Sequence, residues 1–315
     1  MTNDPKNVRG QNRRTRGARK LDLVFIQDTT GSQGKYIEAS LTRCKDVCYA
    51  LQKSGKVEEN DGLHLAVIAF RDQGQGDEYV TQDFNGFTNN VDSVVQNLGT
   101  LVASGGGDGP EALAAALSNA MNLKWRRDSA KVAVIITDAP PHGIGELGDF
   151  YKDGDPDGKD PLMIARTMAR RGIAIFFVAC EPTLSNHYTF AHDFYMALAK
   201  LTSGSMLPLT NTEILAPLIV GFALEHLEVD SLTTEFEPLV AQFHREGMSE
   251  ADIVNKLFAL MRSRSVKVTS LKSTPVYSES PTASKNVLTW MNAKSTKAGR
   301  DQMYHRTRIE SPQNL

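Results

Sequence analysis

Cysteine, tryptophan and long apolar runs are all scarce in this chain. Three cysteines in 315 residues are too few, and odd in number, for a disulfide framework. The expectation drawn from this is a reducing, cytoplasmic setting. The longest apolar runs, 132–136 (VAVII) and 173–180 (IAIFFVAC), fall far short of the ~20 residues that cross a bilayer. No membrane span is expected. The N-terminal stretch MTNDPKNVRGQNRRTRGARK has no apolar core and does not read as a secretory signal. What is present is ordinary for a soluble globular chain: 41% hydrophobic and 23% charged residues. That balance excludes collagen, a coiled-coil rod and wholesale disorder.

The net charge of -2 hides a segregation. Residues 1–20 hold seven Lys/Arg against one Asp, and residues 271–315 hold seven against three acids. The body between them is therefore strongly acidic. Both ends are poor in large apolar residues and rich in Ser, Thr, Asn and Lys/Arg. Such segments bury too little surface to offset ordering entropy, so 1–19 and 269–315 read as basic, disordered tails. A basic arm can also touch nucleic acid or an anionic membrane. No aromatic platform or zinc spacing supports a nucleic-acid partner, which is not expected.

Between the tails, strand and helix alternate. Residues 21–27 (LDLVFIQ), 63–70 (LHLAVIAF), 131–137 (KVAVIIT) and 172–179 (GIAIFFVA) are apolar runs of the kind buried on both faces of a parallel sheet. An edge strand is expected over 78–84 and a short strand over 205–209. Helices are expected over 34–54, 91–102, 110–123, 161–171, 187–201 and 214–227. Pro110 and Pro161 suit the first turn of theirs. The pattern implies an α/β fold, a doubly wound, mostly parallel sheet flanked by helices. Ligands in such folds bind outside the carboxyl ends of the strands, at the point where the winding reverses.

The residues at those ends are Asp28-Thr29-Thr30-Gly31-Ser32, Arg71-Asp72 and Asp138-Ala139-Pro140-Pro141-His142. The glycine-rich loop 105–111 can reach the same edge. Asp28, Thr30, Ser32, Asp108 and Asp138 are all hard oxygen donors, with no sulfur or imidazole among them. Such a set, with water completing the shell, selects Mg²⁺ or Mn²⁺ over zinc or copper. The plainer reading is that each is a helix cap or turn former.

DTTGS after an apolar strand, GGGDGPEAL and VIITDAPPHG resemble, in order, the three metal loops of von Willebrand factor type A domains. FRDQG and DFNGFT resemble the variants found beside α-type protein kinases and in hemicentin-like proteins. The resemblance covers about 20–229. It implies a Rossmann-like sheet with a metal-ion-dependent adhesion site that binds protein partners, through an acidic partner side chain, rather than catalysing a reaction. Asp28, Thr30 and Ser32 match the first loop, and Asp138 the third. The second loop departs from the pattern. Many family members have Thr after the glycine pair; here Asp108 is the nearest oxygen donor, with the register open by one residue. A third carboxylate would hold the ion more firmly and weaken its pull on a partner's acid.

Other features are weaker. Asp153-Gly-Asp155-Pro-Asp157-Gly resembles the start of a calcium loop, but Ile164 stands where its bidentate Glu belongs, and a polar turn is expected. Cys44 and Cys48 share a helix face without a nearby His, so they read as small buried residues; Cys180 reads as inert. His142 reads as a loop histidine, and Asp72 either as support for the site or as Arg71's surface partner. A Mg²⁺-dependent phosphohydrolase of the haloacid-dehalogenase type is the alternative function, but it needs an Asp where Thr30 stands. No G-x-S-x-G, phosphate-cradling loop or dinucleotide fingerprint is present. A regulatory partner of an α-type protein kinase is a further alternative. Beyond the body, 230–268 reads as a helical hairpin extension. It comprises helices 234–246 and 249–264, the second opened by the capping-box-like Ser249-Glu-Ala-Asp252.

Overall fold

A computed structural model describes residues 19–74, 76–266, 277 and 280–303. The parts of the expected tails at 1–18, 269–276, 278–279 and 304–315, and residues 267–268 of the expected hairpin, lie outside the described residues. Six strands form one sheet: β1 (Lys20–Asp28), β2 (Leu63–Phe70), β3 (Thr81–Asp83), β4 (Ser129–Thr137), β5 (Ile173–Cys180) and β6 (Met206–Leu209). Their order is β3-β2-β1-β4-β5-β6. All pairs are parallel except β2 with β3. The chain winds outward from β1 to β2, then returns to place β4 on the other side of β1. The winding reverses between β1 and β4.

The apolar runs become central strands because both faces of the sheet are covered. Successive side chains alternate faces. Leu23 and Phe25 join the layer that holds helices α1 (Gly34–Lys53) and α2 (Val91–Gly99). Val24 and Ile26 join the opposite layer, with α3 (Leu113–Asn122) and α4 (Pro161–Arg170). Caps set the helix starts: Asn90 accepts from Ser93 N, and Asp160 accepts from Met163 N ahead of Pro161.

The edge strand expected over 78–84 shrinks to β3, three residues antiparallel to β2. The helix expected from Pro110 starts at Leu113, because Glu111 N donates to Pro140 O at 2.8 Å and ties that stretch to the loop after β4. The helix expected over 187–201 starts later, as α6 (Ala191–Leu201), and a separate short helix, α5 (Thr183–His187), precedes it.

Beyond β6 the two expected helices, 214–227 and 234–246, are one. Helix α7 (Leu215–Arg245) runs 31 residues with Pro238 inside it. Its first half packs on the sheet through Leu218, Ile219 and Phe222. Gly247, at φ +76°, turns the chain into α8 (Glu250–Ser263).

The disordered C-terminal tail is corrected over 281–303. Helices α9 (Pro281–Asn292) and α10 (Thr296–Arg300) fold there. Trp290 is fully buried, edge-on to Phe194 of α6 with ring centroids 4.9 Å apart. Composition gave a solvated segment; one indole and Val287, three residues apart on one helix face, supply the apolar contact that orders it. Thr296 donates from N and Oγ1 to Asp160 (2.7 and 2.9 Å), and Arg300 Nη1 donates to Lys152 O. The two helices thus brace the long loop after β4.

Candidate metal centre

β1 and β4 lie side by side and end together, so their C-terminal loops open a crevice at the reversal of the winding. Asp28 closes β1 and is fully buried. Its Oδ1 accepts from Thr30 N (2.9 Å) and Thr30 Oγ1 (2.7 Å), and its Oδ2 accepts from Thr137 Oγ1 (2.7 Å). Burial first, then the neighbouring Asp138, pushes its pKa up to about 7. Asp138 Oδ1 accepts from Ser32 Oγ at 2.9 Å and Gln33 Nε2 at 2.6 Å. The first and third loops predicted from sequence therefore meet. Thr30 and Ser32 each donate their hydroxyl proton to a carboxylate, which leaves oxygen lone pairs available to a cation.

The second loop is stitched to the first. Gly31 N donates to Gly105 O (3.2 Å) and Ser104 N to Thr29 O (3.0 Å). Gly106 sits at φ +90°, and a Cβ there would lie 3.3 Å from Glu111 Oε1 and 3.4 Å from Thr30 Cβ. Glycine is what lets this loop pass between them. The cleft is lined by Thr30, Ser32, Asp108, Glu111 and Asp138, among others.

Glu111 is the residue that sequence reasoning passed over, because it reads as the opening of a helix. It is only 4% exposed, and its Oε2 has no hydrogen-bond partner. Burial, then Asp28, Asp72 and Asp108, drives its pKa up to about 11. A buried carboxylate without a donor is costly unless a cation or a proton satisfies it.

Asp108 also lines the cleft, but its Oδ2 accepts from Phe150 N at 2.5 Å, while its Oδ1 is buried without a partner. Asp108, Asp72 and His142 each offer one ligand atom, all within 4.8 Å of one another, a set able to hold a divalent ion. His142 is no ordinary loop histidine. Nε2 donates to Asp72 Oδ1 (2.7 Å) and Nδ1 to Asp149 Oδ1 (2.9 Å), all three groups buried. Burial alone would lower the His142 pKa; the bonds to Asp149 and Asp72 outweigh it and raise it to about 9. Asp72 is thus held by His142 rather than by Arg71, whose Nη2 donates to Val102 O. The pairing was invisible in sequence because Asp72 lies 70 residues before His142, and only the path of the loop after β4 returns Asp149 to the ring.

The calcium-like segment is a polar turn. Asp155 Oδ1 accepts from Asp157 N, Oδ2 accepts from Gln73 Nε2, and Lys159 lies beside Asp155. All three cysteines are buried and free.

Residues 22–205, more than half of the chain, match the family model of the von Willebrand factor type A domain. The chain belongs to this family. A putative ariadne-like RING finger protein of Acanthamoeba polyphaga mimivirus is 24% identical over 67% of this chain and 20% of its own. The alpha-protein kinase vwkA of Dictyostelium discoideum is 31% identical over 45% of this chain and 22% of its own. The chain thus spans about a fifth of these relatives' lengths. Among solved structures, the pilus adhesin SpaC of Lactobacillus rhamnosus GG aligns with a TM-score of 0.47 at 12% identity, covering 67% of this chain and 31% of that one. Proximal thread matrix protein 1 of the mussel byssus aligns at 0.43 and 15%, covering 64% and 44%.

The expectation of a cytoplasmic protein is corrected, because the shortage of cysteine on which it rested does not decide it. The type A fold closes its core with two apolar layers and needs no disulfide, so few cysteines do not fix a compartment. Among the described residues, no helix is long and apolar enough to cross a membrane.

Proposed function

We propose that this chain is a non-catalytic, metal-dependent protein-binding module. Asp28, Thr30, Ser32 and Asp138 hold one Mg²⁺ or Mn²⁺, and Glu111 serves as the second-loop donor. The reading is carried by one observation: a buried Glu111 oxygen without a partner lines the same cleft as hydroxyls whose protons are already given away. An all-oxygen set of this kind suits a hard cation. The bound ion would supply a Lewis-acidic position for an oxygen of the partner. Three carboxylates around it would hold the ion firmly and soften its attraction for a partner's acid. The partner then needs further contact area, and Leu147 and Phe150, exposed on the third loop, offer apolar surface nearby.

The test is thermal melting of the full chain with Mg²⁺ and with chelator, paired with a screen of phosphoester substrates. Expected are a Mg²⁺-dependent rise in Tm, lost in Ser32→Ala and Asp138→Ala, and no turnover. A Tm indifferent to Mg²⁺ overturns the metal reading; turnover lost in Asp28→Asn overturns the non-catalytic one. The similarity to an alpha-protein kinase favours a second reading, regulation of such a kinase. It requires Mg²⁺-dependent retention of the kinase on the immobilised chain.

A further inference from the structure

We propose that Asp72, Asp108 and His142 form a second cation site, which adjoins the oxygen cleft and shares Asp108 with its lining, and that this site takes a nitrogen-preferring divalent ion such as Zn²⁺. The three side chains come from three different loops at the carboxyl edge of the sheet, and their ligand atoms lie within 4.8 Å of one another.

Two features set this group apart from a chance cluster of acids. First, Asp108 Oδ1 is buried and accepts no hydrogen bond, while Phe150 N holds the other oxygen. The carboxylate is fixed with one oxygen unused. Second, His142 is already oriented as a ligand. Nδ1 donates to Asp149, and Asp149 is pinned by Gly143 N (2.7 Å) and Tyr151 N (2.8 Å). A carboxylate behind Nδ1 fixes the ring and its tautomer and turns Nε2 toward the metal, the arrangement that outer-shell carboxylates give to metal-bound histidines. Asp72 is held in the same way, its Oδ2 accepting from Gly107 N at 2.9 Å.

His142 Nε2 and Asp72 Oδ1 now share a hydrogen bond, 2.7 Å apart. An ion bound at about 2.0–2.1 Å to each in a tetrahedron would open that separation to about 3.3 Å. Binding releases the Nε2 proton to solvent. Charge favours a dication here, because Asp72, Asp108 and Asp149 all stand around the one imidazole. Imidazole with two carboxylates suits zinc, while the neighbouring all-oxygen cleft suits magnesium.

The experiment uses the full chain, stripped of metal and held in saturating Mg²⁺ so that the oxygen cleft does not compete. Zn²⁺ binding is followed by calorimetry, and Co²⁺ serves as a spectroscopic stand-in. Expected are one equivalent bound and visible Co²⁺ bands showing a nitrogen ligand. Asp108→Asn keeps the oxygen that accepts from Phe150 N, so it preserves the fold while lowering Zn²⁺ affinity. Asp149→Asn lowers affinity about 10–100-fold. Ser32→Ala leaves it unchanged. The inference falls if no Zn²⁺ binds in Mg²⁺, or if Ser32→Ala weakens binding and Asp108→Asn does not. Because Ser32→Ala reads the oxygen cleft alone, failure of one site is separable from failure of the other.

Discussion

Two aspartates bracket β1, and both are fully buried, yet their surroundings are opposite. At the amino end, Asp22 Oδ1 accepts from Arg126 Nε (2.7 Å), and Oδ2 accepts from Arg126 N (2.7 Å) and Ser129 Oγ (2.9 Å). The guanidinium goes on to donate to Leu21 O and Gly62 O. That carboxylate has a protein cation and completes a structural joint between strands. At the carboxyl end, Asp28 has only hydroxyls and one backbone N–H, with Asp138 nearby. One strand therefore carries a neutralised acid at one end and an uncompensated acid at the other. The first end serves stability, and the second leaves room for something the chain does not itself provide.

The largest effect should come from breaking the neutralised end. Arg126→Ala strands a buried charge and should cost about 3–5 kcal/mol, read from the denaturant midpoint, with the Mg²⁺ response intact in whatever remains folded. The next effect is one of pH. In the folded, metal-free chain Asp28 keeps its proton up to about pH 7, against 3.8 for the ordinary group. A raised carboxyl pKa favours the fold at low pH, and that support is lost as pH climbs from about 4 through about 7. Stability of the metal-free chain relative to Asp28→Asn should therefore fall across that window, by at most about 4 kcal/mol. A flat difference between the two chains would erase the contrast with Asp22.

Smaller still is the metal contribution. At a Mg²⁺ concentration of 100 times Kd, the wild type should gain about 2.7 kcal/mol, and Asp28→Asn should gain nothing. The asparagine fits the pocket, because Thr137 Oγ1 can accept from the amide and donate to Ala139 O, 3.2 Å away. Thr30→Ser should change least. It keeps the hydroxyl that donates to Asp28, so stability should stay within about 0.5 kcal/mol and the Mg²⁺ shift should survive. Loss of that shift would mean that the methyl group, not the oxygen, matters.

The parallel sheet was legible because runs buried on both faces are mostly apolar, with Asp22 and Gln27 in β1 and His64 in β2 as isolated exceptions. The first and third loops were legible because Asp28, Thr30, Ser32 and Asp138 sit directly at strand ends. Glu111 was not, since its meaning depends on a backbone bond to Pro140 that holds it out of the helix. Asp149 was hidden for a similar reason: only the fold of a long loop returns it to His142. The unbroken α7 was missed because the polar stretch after Leu227 looks like a boundary, although 31 residues of helix pass through it. The C-terminal helices were missed because their average composition is polar, and a single tryptophan decides where they go.

That tryptophan has a consequence for how the module can be borrowed. The family match ends at residue 205, whereas the clasp on the third loop is made by Thr296 and Arg300 and seated by Trp290. A graft limited to the matched span arrives with its Asp138 and His142 loop unfastened. Cargo attached just after residue 300 would tug on that loop from a distance, so the far end of the chain is a handle on the metal edge.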